Sequence, residues 1–171
     1  MTDDLLTQLL NSILGCASQC LNDHGSCPAP CRTFISAGAP VWDLEACGSE
    51  CGGQLTAHVD RLYVHSVFPA EQGQVNNCTM PLAAEIVVTL LRCFPAVRDD
   101  GTAPTADELG AASEGIYQDL YALSRCIICN LAQRGKRQAS VFRGSRIVPP
   151  QGGCIGTEIR FVIELPDPLP A

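Results

Sequence analysis

The apolar positions near the N-terminus follow the spacing of one helical face. They predict an amphipathic helix over residues 3–14. Thr2 and the two aspartates after it suit the first turn, because side-chain oxygens and negative charge satisfy the free N–H groups there. The apolar stripe consists of Leu5, Leu6, Leu9, Leu10 and Ile13.

Periodicity is weak over residues 15–53, where cysteine, glycine and proline dominate. The segment holds six cysteines, six glycines and three prolines, which is typical of an irregular loop. Within it we expect one short ribbon, in which Arg32–Ser36 pairs with Val41–Leu44.

A long strand is predicted over residues 54–67. Its apolar side chains alternate as far as Val59 and resume at Leu62 on the opposite parity. A one-residue slip of this kind indicates a β-bulge at Asp60-Arg61. The alternative is that both faces of the strand are partly covered.

The next apolar segment, residues 80–93, has helical spacing from Leu82 to Cys93. Pro81 suits a first helical turn, where a missing N–H costs nothing. We therefore expect a compact helix that is buried on most sides.

A long amphipathic helix is predicted over residues 105–133. Thr105 and Glu108 form a capping box at its start. Apolar residues then recur at steps of three and four as far as Leu131, which indicates one continuous helix.

The C-terminal part predicts a β-hairpin. Residues 138–148 form its first strand, Pro149–Gly153 its turn region and Glu158–Leu165 its second strand. Apolar and charged side chains alternate in the second strand, so we expect one buried face and one wet face. The proline-rich residues 167–171 cannot continue a strand and are expected to form an extended arm.

The 171 residues suit one domain. We divide it into an N-terminal helix (1–14), a Cys/Gly-rich loop (15–53), an α+β core (54–166) and a C-terminal arm (167–171). With 46% hydrophobic and 17% charged residues, the chain can bury a core. Because the chain has no long apolar run, we expect no membrane-spanning helix. Because its start is acidic, we expect no secretory signal.

Charge is unevenly distributed along the chain. The net charge is −7, which argues against a dedicated DNA binder. Residues 120–157 nevertheless contain six basic residues and no acidic one. This segment is either a solvated loop beside a helix C-terminus or a surface that meets the acidic body of another copy.

Eleven cysteines are the most unusual feature of the composition. Three pairs with three residues between them could ligate zinc or form disulfides in an oxidising setting, such as the surface of a released virus particle. The pairs lack the usual zinc-knuckle pattern and a histidine at partner spacing, so we expect no metal. The candidate disulfide cysteines are Cys16, Cys20, Cys27, Cys31, Cys47 and Cys51.

No pattern of catalytic residues stands out. Cys126 and Cys129 match a redox dithiol as a string, but they lie late in a predicted helix, where the dipole opposes thiolate formation. His58 and His65 share a predicted strand without an accompanying acid and nucleophile. A phosphate-binding glycine loop and a nucleophile elbow are also missing. We therefore expect no enzymatic activity and no cofactor.

Short strings in a fixed order carry a family resemblance. They and the order of elements resemble small neck or tail proteins of long-tailed phages of actinobacteria, and most of all tail terminator proteins. The resemblance covers most of residues 40–166, whereas residues 15–40 go beyond the family pattern. The strings are Val41-Trp42-Asp43, Cys51-Gly-Gly-Gln-Leu55, Cys78-Thr-Met-Pro-Leu-Ala-Ala-Glu85, Leu91-Arg-Cys-Phe-Pro95 and Gly152-Gly-Cys-Ile-Gly156.

The resemblance implies an α+β domain, in which a twisted, mostly antiparallel sheet is packed by two or three helices on one face. It also implies a ring, typically of six copies, at the head-proximal end of the tail tube. Such a ring ends polymerisation of the tube protein, contacts the head-tail stopper or connector, and lets DNA pass through its lumen without sequence readout. The protein would be assembled in the host cytoplasm and reside in the virion, with no membrane partner.

The charge pattern agrees with a ring of this kind. An acidic lumen does not grip DNA, because like charges repel, and a basic segment can meet an acidic face of the next subunit. A head–tail adaptor, a stopper or another neck ring is the first alternative, and a disulfide- or zinc-organised binding module is the second. The candidate subunit-interface residues are Arg134, Lys136, Arg137, Arg143, Arg146, Pro166 and Pro168.

Overall fold

The chain forms an α+β domain, as expected. A computed structural model describes residues 5–40, 52–75, 80–98, 100–134, 138–151 and 153–166, without the side chain of residue 134. In chain order these residues form two helices and five strands. The elements are α1 (Leu5–His24), β1 (Arg32–Ile35), β2 (Gln54–Val64), β3 (Leu82–Cys93), α2 (Ala106–Arg134), β4 (Ser140–Gln151) and β5 (Cys154–Glu164).

The described strands form one sheet in the order β1-β2-β3-β5-β4. The pairs β2/β3, β3/β5 and β4/β5 are antiparallel, and only the short β1 runs parallel to its neighbour β2. Both helices pack on one face, where Leu9–Leu21 of α1 and Leu123–Leu131 of α2 meet apolar side chains of the sheet. The prediction of a mostly antiparallel sheet covered by helices on one face is confirmed.

The central strand β3 corrects the prediction of a helix over residues 80–93. It pairs with β2 on one side and β5 on the other, and Ile86–Arg92 are buried on both faces. A strand that is covered on both faces carries a continuous apolar run, so its pattern fits a buried helix equally well. The consecutive β-branched residues Ile86–Thr89 favour the extended form, in which their side chains are least restricted.

Helix α1 is longer than predicted, because it ends at His24 and not at residue 14. Ala17 and Leu21 continue its buried stripe, so Gly15 interrupts the pattern without ending the helix. Cys16 and Cys20 therefore lie in a helix and not in the predicted loop.

Strand β1 confirms the extended form of Arg32–Ile35. It pairs in parallel with Gln54–Ala57 of β2, whereas the expected partner, Val41–Leu44, lies outside the described residues. A parallel partner that is distant in sequence gives no local hairpin signal, so the sequence did not predict the pairing with β2.

Strand β2 contains the predicted bulge and follows directly on Gly53, a glycine that the fold requires. The register with β3 shifts between Val59 and Arg61, so Asp60 is the extra residue. Gly53 has a φ of 100°, and a Cβ atom there would lie 1.9 Å from the carbonyl oxygen of Leu91. No L-residue with a side chain fits this approach, which fixes the start of β2 against β3.

Helix α2 confirms the predicted capping box. The Thr105 N–H donates to Glu108 Oε2 at 2.8 Å, and the Glu108 N–H donates to Thr105 Oγ1 at 3.2 Å. After α2 the predicted hairpin follows as β4 and β5, but its strands are longer than predicted, because β4 continues to Gln151 and β5 begins at Cys154. Ile159, Phe161 and Ile163 of β5 are buried against the helices.

The alternation in β5 predicts that the second face of the sheet is exposed to solvent. In the structure, part of this face is buried. Tyr63, Ala83 and Val162 form a small buried cluster there, and Phe68 packs on it. The Tyr63 hydroxyl donates to the carbonyl of Pro69 at 2.9 Å. The segment after β2 thus folds back over one end of this face.

Candidate functional site

The predicted interface residues that the structure describes lie around the edge strand β4. Arg143 and Arg146 are exposed in β4, Pro166 is exposed just after β5, and Arg134 is the last residue of α2. The side chains of Arg134, Lys136, Arg137 and Pro168 lie outside the described part of the chain.

A second bulge shapes this edge. The register between β4 and β5 shifts between Phe142 and Gly144, so Arg143 is the extra residue. Gly144 has a φ of 130°, a conformation that favours glycine. The side chain of Arg143 forms no ion pair with a described residue. It is therefore available as a positive charge at the sheet edge.

Arg146, in contrast, is already engaged within the chain. Its Nη2 lies 3.1 Å from an oxygen of Glu158, which also lies 2.6 Å from Arg160 Nε. Arg160 continues the network to Asp60 at 2.9 Å. These pairs link β4, β5 and β2 across the second face, so Arg146 stabilises the sheet in addition to any contact with a neighbour.

A further pair extends this charge network to β3. Arg61 Nε lies 2.8 Å from Glu85, and Arg61 Nη1 lies 2.6 Å from Glu71 in the segment after β2. Burial raises the pKa of Glu158, but hydrogen bonds from Arg146 and Arg160 outweigh it and hold that pKa below its usual value. The face is thus charged at neutral pH, with paired acids and bases.

The bulge in β2 brings His58 and His65 to this same face. His58 precedes the extra residue and pairs with Val87, whereas Arg61 and Tyr63 follow it and pair with Glu85 and Ala83. Burial lowers the pKa of His58, with smaller opposing effects of nearby charges. Neither ring is accompanied by an aligned acid and nucleophile among the described residues.

Sequence reasoning missed a buried ion pair beside a cavity. Arg92 Nε lies 2.9 Å from Asp119 Oδ2, and the guanidinium also donates to the carbonyls of Cys27 and Pro28, both at 2.8 Å. The only sign of this pair in the sequence is that Arg92 and Asp119 are charged residues that each interrupt an otherwise apolar face. The partners lie in different elements, so the sequence does not pair them.

The cavity next to this ion pair measures about 600 Å³. Much of the hydrogen-bonding potential of its walls is used within the protein, because Arg92 donates to Asp119 and to the carbonyl groups of Cys27, Pro28 and Gly52. The remaining walls are small or apolar, apart from the thiols of Cys27 and Cys93. The other lining residues include Ser26, Pro28, Ala29, Gly52, Ala111, Ala112, Gly115 and Ile116.

The six candidate disulfide cysteines separate into different environments. Cys16 and Cys20 lie on the face of α1 that meets α2, Cys27 is exposed, and Cys31 is disulfide-bonded. Cys47 and Cys51 lie outside the described residues. Within the described residues, no group of three or more Cys, His, Asp or Glu side chains is arranged to hold a metal ion.

The thiols of α2 give no support to redox catalysis at Cys126. Burial, followed by contacts with the Cys20 and Cys16 thiols, raises the pKa of Cys126. A raised pKa leaves little thiolate at neutral pH, and the thiolate is the nucleophile.

Comparisons with known proteins give similarity to solved structures only. No protein-family model and no curated protein matches the chain. Among solved structures, the chain is similar to the sheath/tube terminator of an extracellular contractile injection system, PVC, determined by cryo-EM in its extended state. The sequence identity is 9% and the TM-score 0.35, over 100% of this chain and 62% of that chain. The chain thus spans less than two thirds of the length of that terminator.

In the described part of the chain, neither helix has an apolar stretch long enough to cross a membrane.

Proposed function

We propose that this chain is a structural protein of a phage-like tail. Its copies form a ring at the head-proximal end of the tail tube, end tube polymerisation and join the tail to the head connector. The observation that carries this proposal is the exposed edge strand β4, which spans 12 residues. No described strand pairs with its outer side.

An open edge of this length favours contact with another polypeptide. Its unpaired backbone groups are a template for strand pairing, which monomeric proteins usually blunt. The bulge at Arg143 twists the edge and hinders strand pairing at this point, so contact with a neighbour here depends on side chains. The exposed charge of Arg143 adds attraction to an acidic neighbour.

The acidic composition supports a neighbour of the same kind. Outside residues 120–157 the chain carries five basic and 18 acidic residues. The basic segment of one copy therefore finds an acidic surface on the next. A contact between two different patches of identical copies is head-to-tail, and it forms a closed ring when the rotation closes.

The excess of acidic residues outside residues 120–157 also supports passage of DNA through the ring. A lumen lined by an acidic protein repels the phosphate backbone, so the duplex passes without being held. The ring then acts through shape and charge, without bond-making chemistry, and six copies are the expected number by resemblance.

Assembly with the tube protein of the same particle tests this function. Purified chain is added to polymerising tube protein, and tube length and ends are measured by negative-stain electron microscopy. We expect shorter tubes with a ring at one end. Tubes of unchanged length without end density would overturn the proposal, and binding to the head connector alone would favour an adaptor or stopper.

The second alternative, a binding module organised by disulfides or zinc, makes a different prediction. Such a module requires stoichiometric metal or intact disulfides for folding, and no tube partner. Metal analysis and thiol counting under denaturing conditions, combined with the tube assay, separate it from a ring protein.

A further inference from the structure

Helices α1 and α2 pack antiparallel with cysteines in their contact. Cys16 of α1 meets Cys126 of α2, and Cys20 meets Ala122 one turn further along. The Sγ atoms of Cys16 and Cys126 are 3.2 Å apart. This is roughly 1.2 Å longer than an S–S bond of about 2.05 Å.

Cys126 contacts the thiols of both Cys20 and Cys16, and distance, hydrogen bonding and exposure favour its pairing with Cys16. Cys126 Sγ donates to the carbonyl oxygen of Cys16 at 3.4 Å, which directs it toward α1. Cys20 Sγ donates to the carbonyl oxygen of Ala122 at 3.4 Å, and this thiol is buried. Cys16 and Cys126 are each only partly buried, so a small reagent in solution can reach them.

We propose that Cys16 and Cys126 are a disulfide-forming site that staples α1 to α2. The oxidant is a low-molecular-weight disulfide, RSSR. The Cys16 thiolate attacks RSSR, giving a mixed disulfide and one RS⁻. The Cys126 thiolate then attacks the Cys16 sulfur and releases the second RS⁻. Two protein thiols and RSSR thus give one protein disulfide and two RSH, with the two electrons passing to the small thiol.

The staple would connect distant parts of the chain. Cys16 and Cys126 are 110 residues apart, so the bond closes a long loop in the unfolded chain and reduces its entropy. Because burial raises the pKa of Cys126, the second step is slow at neutral pH and accelerates as the pH rises. Neighbouring thiols contribute to the same shift.

Mass spectrometry of the oxidised protein tests the pair. Folded chain is equilibrated in glutathione buffers from reduced to oxidised, quenched with acid, alkylated and digested with trypsin. Cleavage after Arg32, Arg125 and Arg134 gives peptides 1–32 and 126–134. We expect a disulfide between these peptides in oxidising buffer, and a rise in Tm on the order of 10 °C.

Single substitutions assign the two sulfurs, since each peptide contains further cysteines. Cys16→Ala and Cys126→Ala should abolish both the cross-link and the Tm rise. Cys20→Ala and Cys129→Ala, the matched controls on the same two helices, should retain both. Far-UV circular dichroism verifies that each variant is folded.

Three results would overturn the inference. The first is a folded protein that shows no cross-link in oxidised glutathione. The second is a cross-link that persists in Cys16→Ala and disappears in Cys20→Ala. The third is stoichiometric zinc that protects Cys16 and Cys126 from alkylation in the purified protein.

Discussion

Arg92 and Asp119 form an ion pair inside the protein, with side chains that are 8% and 0% exposed. The other carboxylate oxygen of Asp119 accepts the N–H of Ser26 at 2.6 Å. The pair thus joins β3, α2 and the turn after α1, three parts of the chain that share no local contact. The ion pair therefore fixes the position of the turn after α1 relative to β3 and α2.

Breaking this pair should destabilise the fold strongly. In Asp119→Asn the Arg92 charge remains buried without its counter-charge, and we expect a loss of about 3–5 kcal/mol in the free energy of unfolding. Denaturant titration followed by circular dichroism measures it. Arg98→Gln is the matched control, because the Arg98–Glu108 pair is exposed and should contribute far less. Equal losses in both variants would contradict this assignment.

The stability of the protein should fall on mild acidification because of His58. Burial lowers the pKa of His58 below its usual 6.5, against the raising effect of Asp60. The unfolded chain then binds the proton first, so stability is full above pH 6.5 and is lost as the pH falls through the lower folded pKa.

His58→Gln should remove this dependence. Urea titrations at several pH values between 6.5 and 4.5 isolate the histidine, because the carboxyl of Glu158 has its usual pKa of 4.5 lowered further. His24→Gln, at the exposed end of α1, controls for the loss of a histidine. An unchanged slope in His58→Gln would show that another group is responsible.

Phe161 should be among the most costly core residues to truncate. Its side chain is 0% exposed and packs between β5 and the helices, so Phe161→Ala leaves a cavity and should cost about 3–5 kcal/mol. Phe34→Ala is the control of the same chemistry, since Phe34 is 42% exposed. Thermal unfolding of the two variants compares them directly, and a smaller loss in Phe161→Ala than in Phe34→Ala would contradict this view of the core.

Charge reversal at the β4 edge should weaken ring closure without unfolding the chain. Arg143→Glu replaces an exposed charge that forms no ion pair with a described residue, and the triple change Arg134→Glu, Lys136→Glu, Arg137→Glu reverses the basic segment before β4. We expect fewer capped tubes with both variants in the tube assay. Arg98→Glu, at an exposed position outside residues 120–157, is the control. If Arg143→Glu caps tubes as well as this control does, β4 is not part of the interface.

The sequence by itself determined the elements whose signals are local. The capping box at Thr105 and the regular steps as far as Leu131 predicted α2, because the helical period and the free N–H groups are properties of neighbouring residues. The parity change at Asp60 predicted the bulge in β2 for the same reason. The alternation in β5 predicted its buried face as well.

Only the tertiary structure decided what depends on distant partners. Strand β3 is extended because β2 and β5 flank it and both faces are covered, and a run of apolar residues does not record which element covers it. The Arg92–Asp119 pair and the Cys16–Cys126 contact join residues 27 and 110 positions apart. Their proximity is a product of packing, so the residue types were visible in the sequence and their pairing was not.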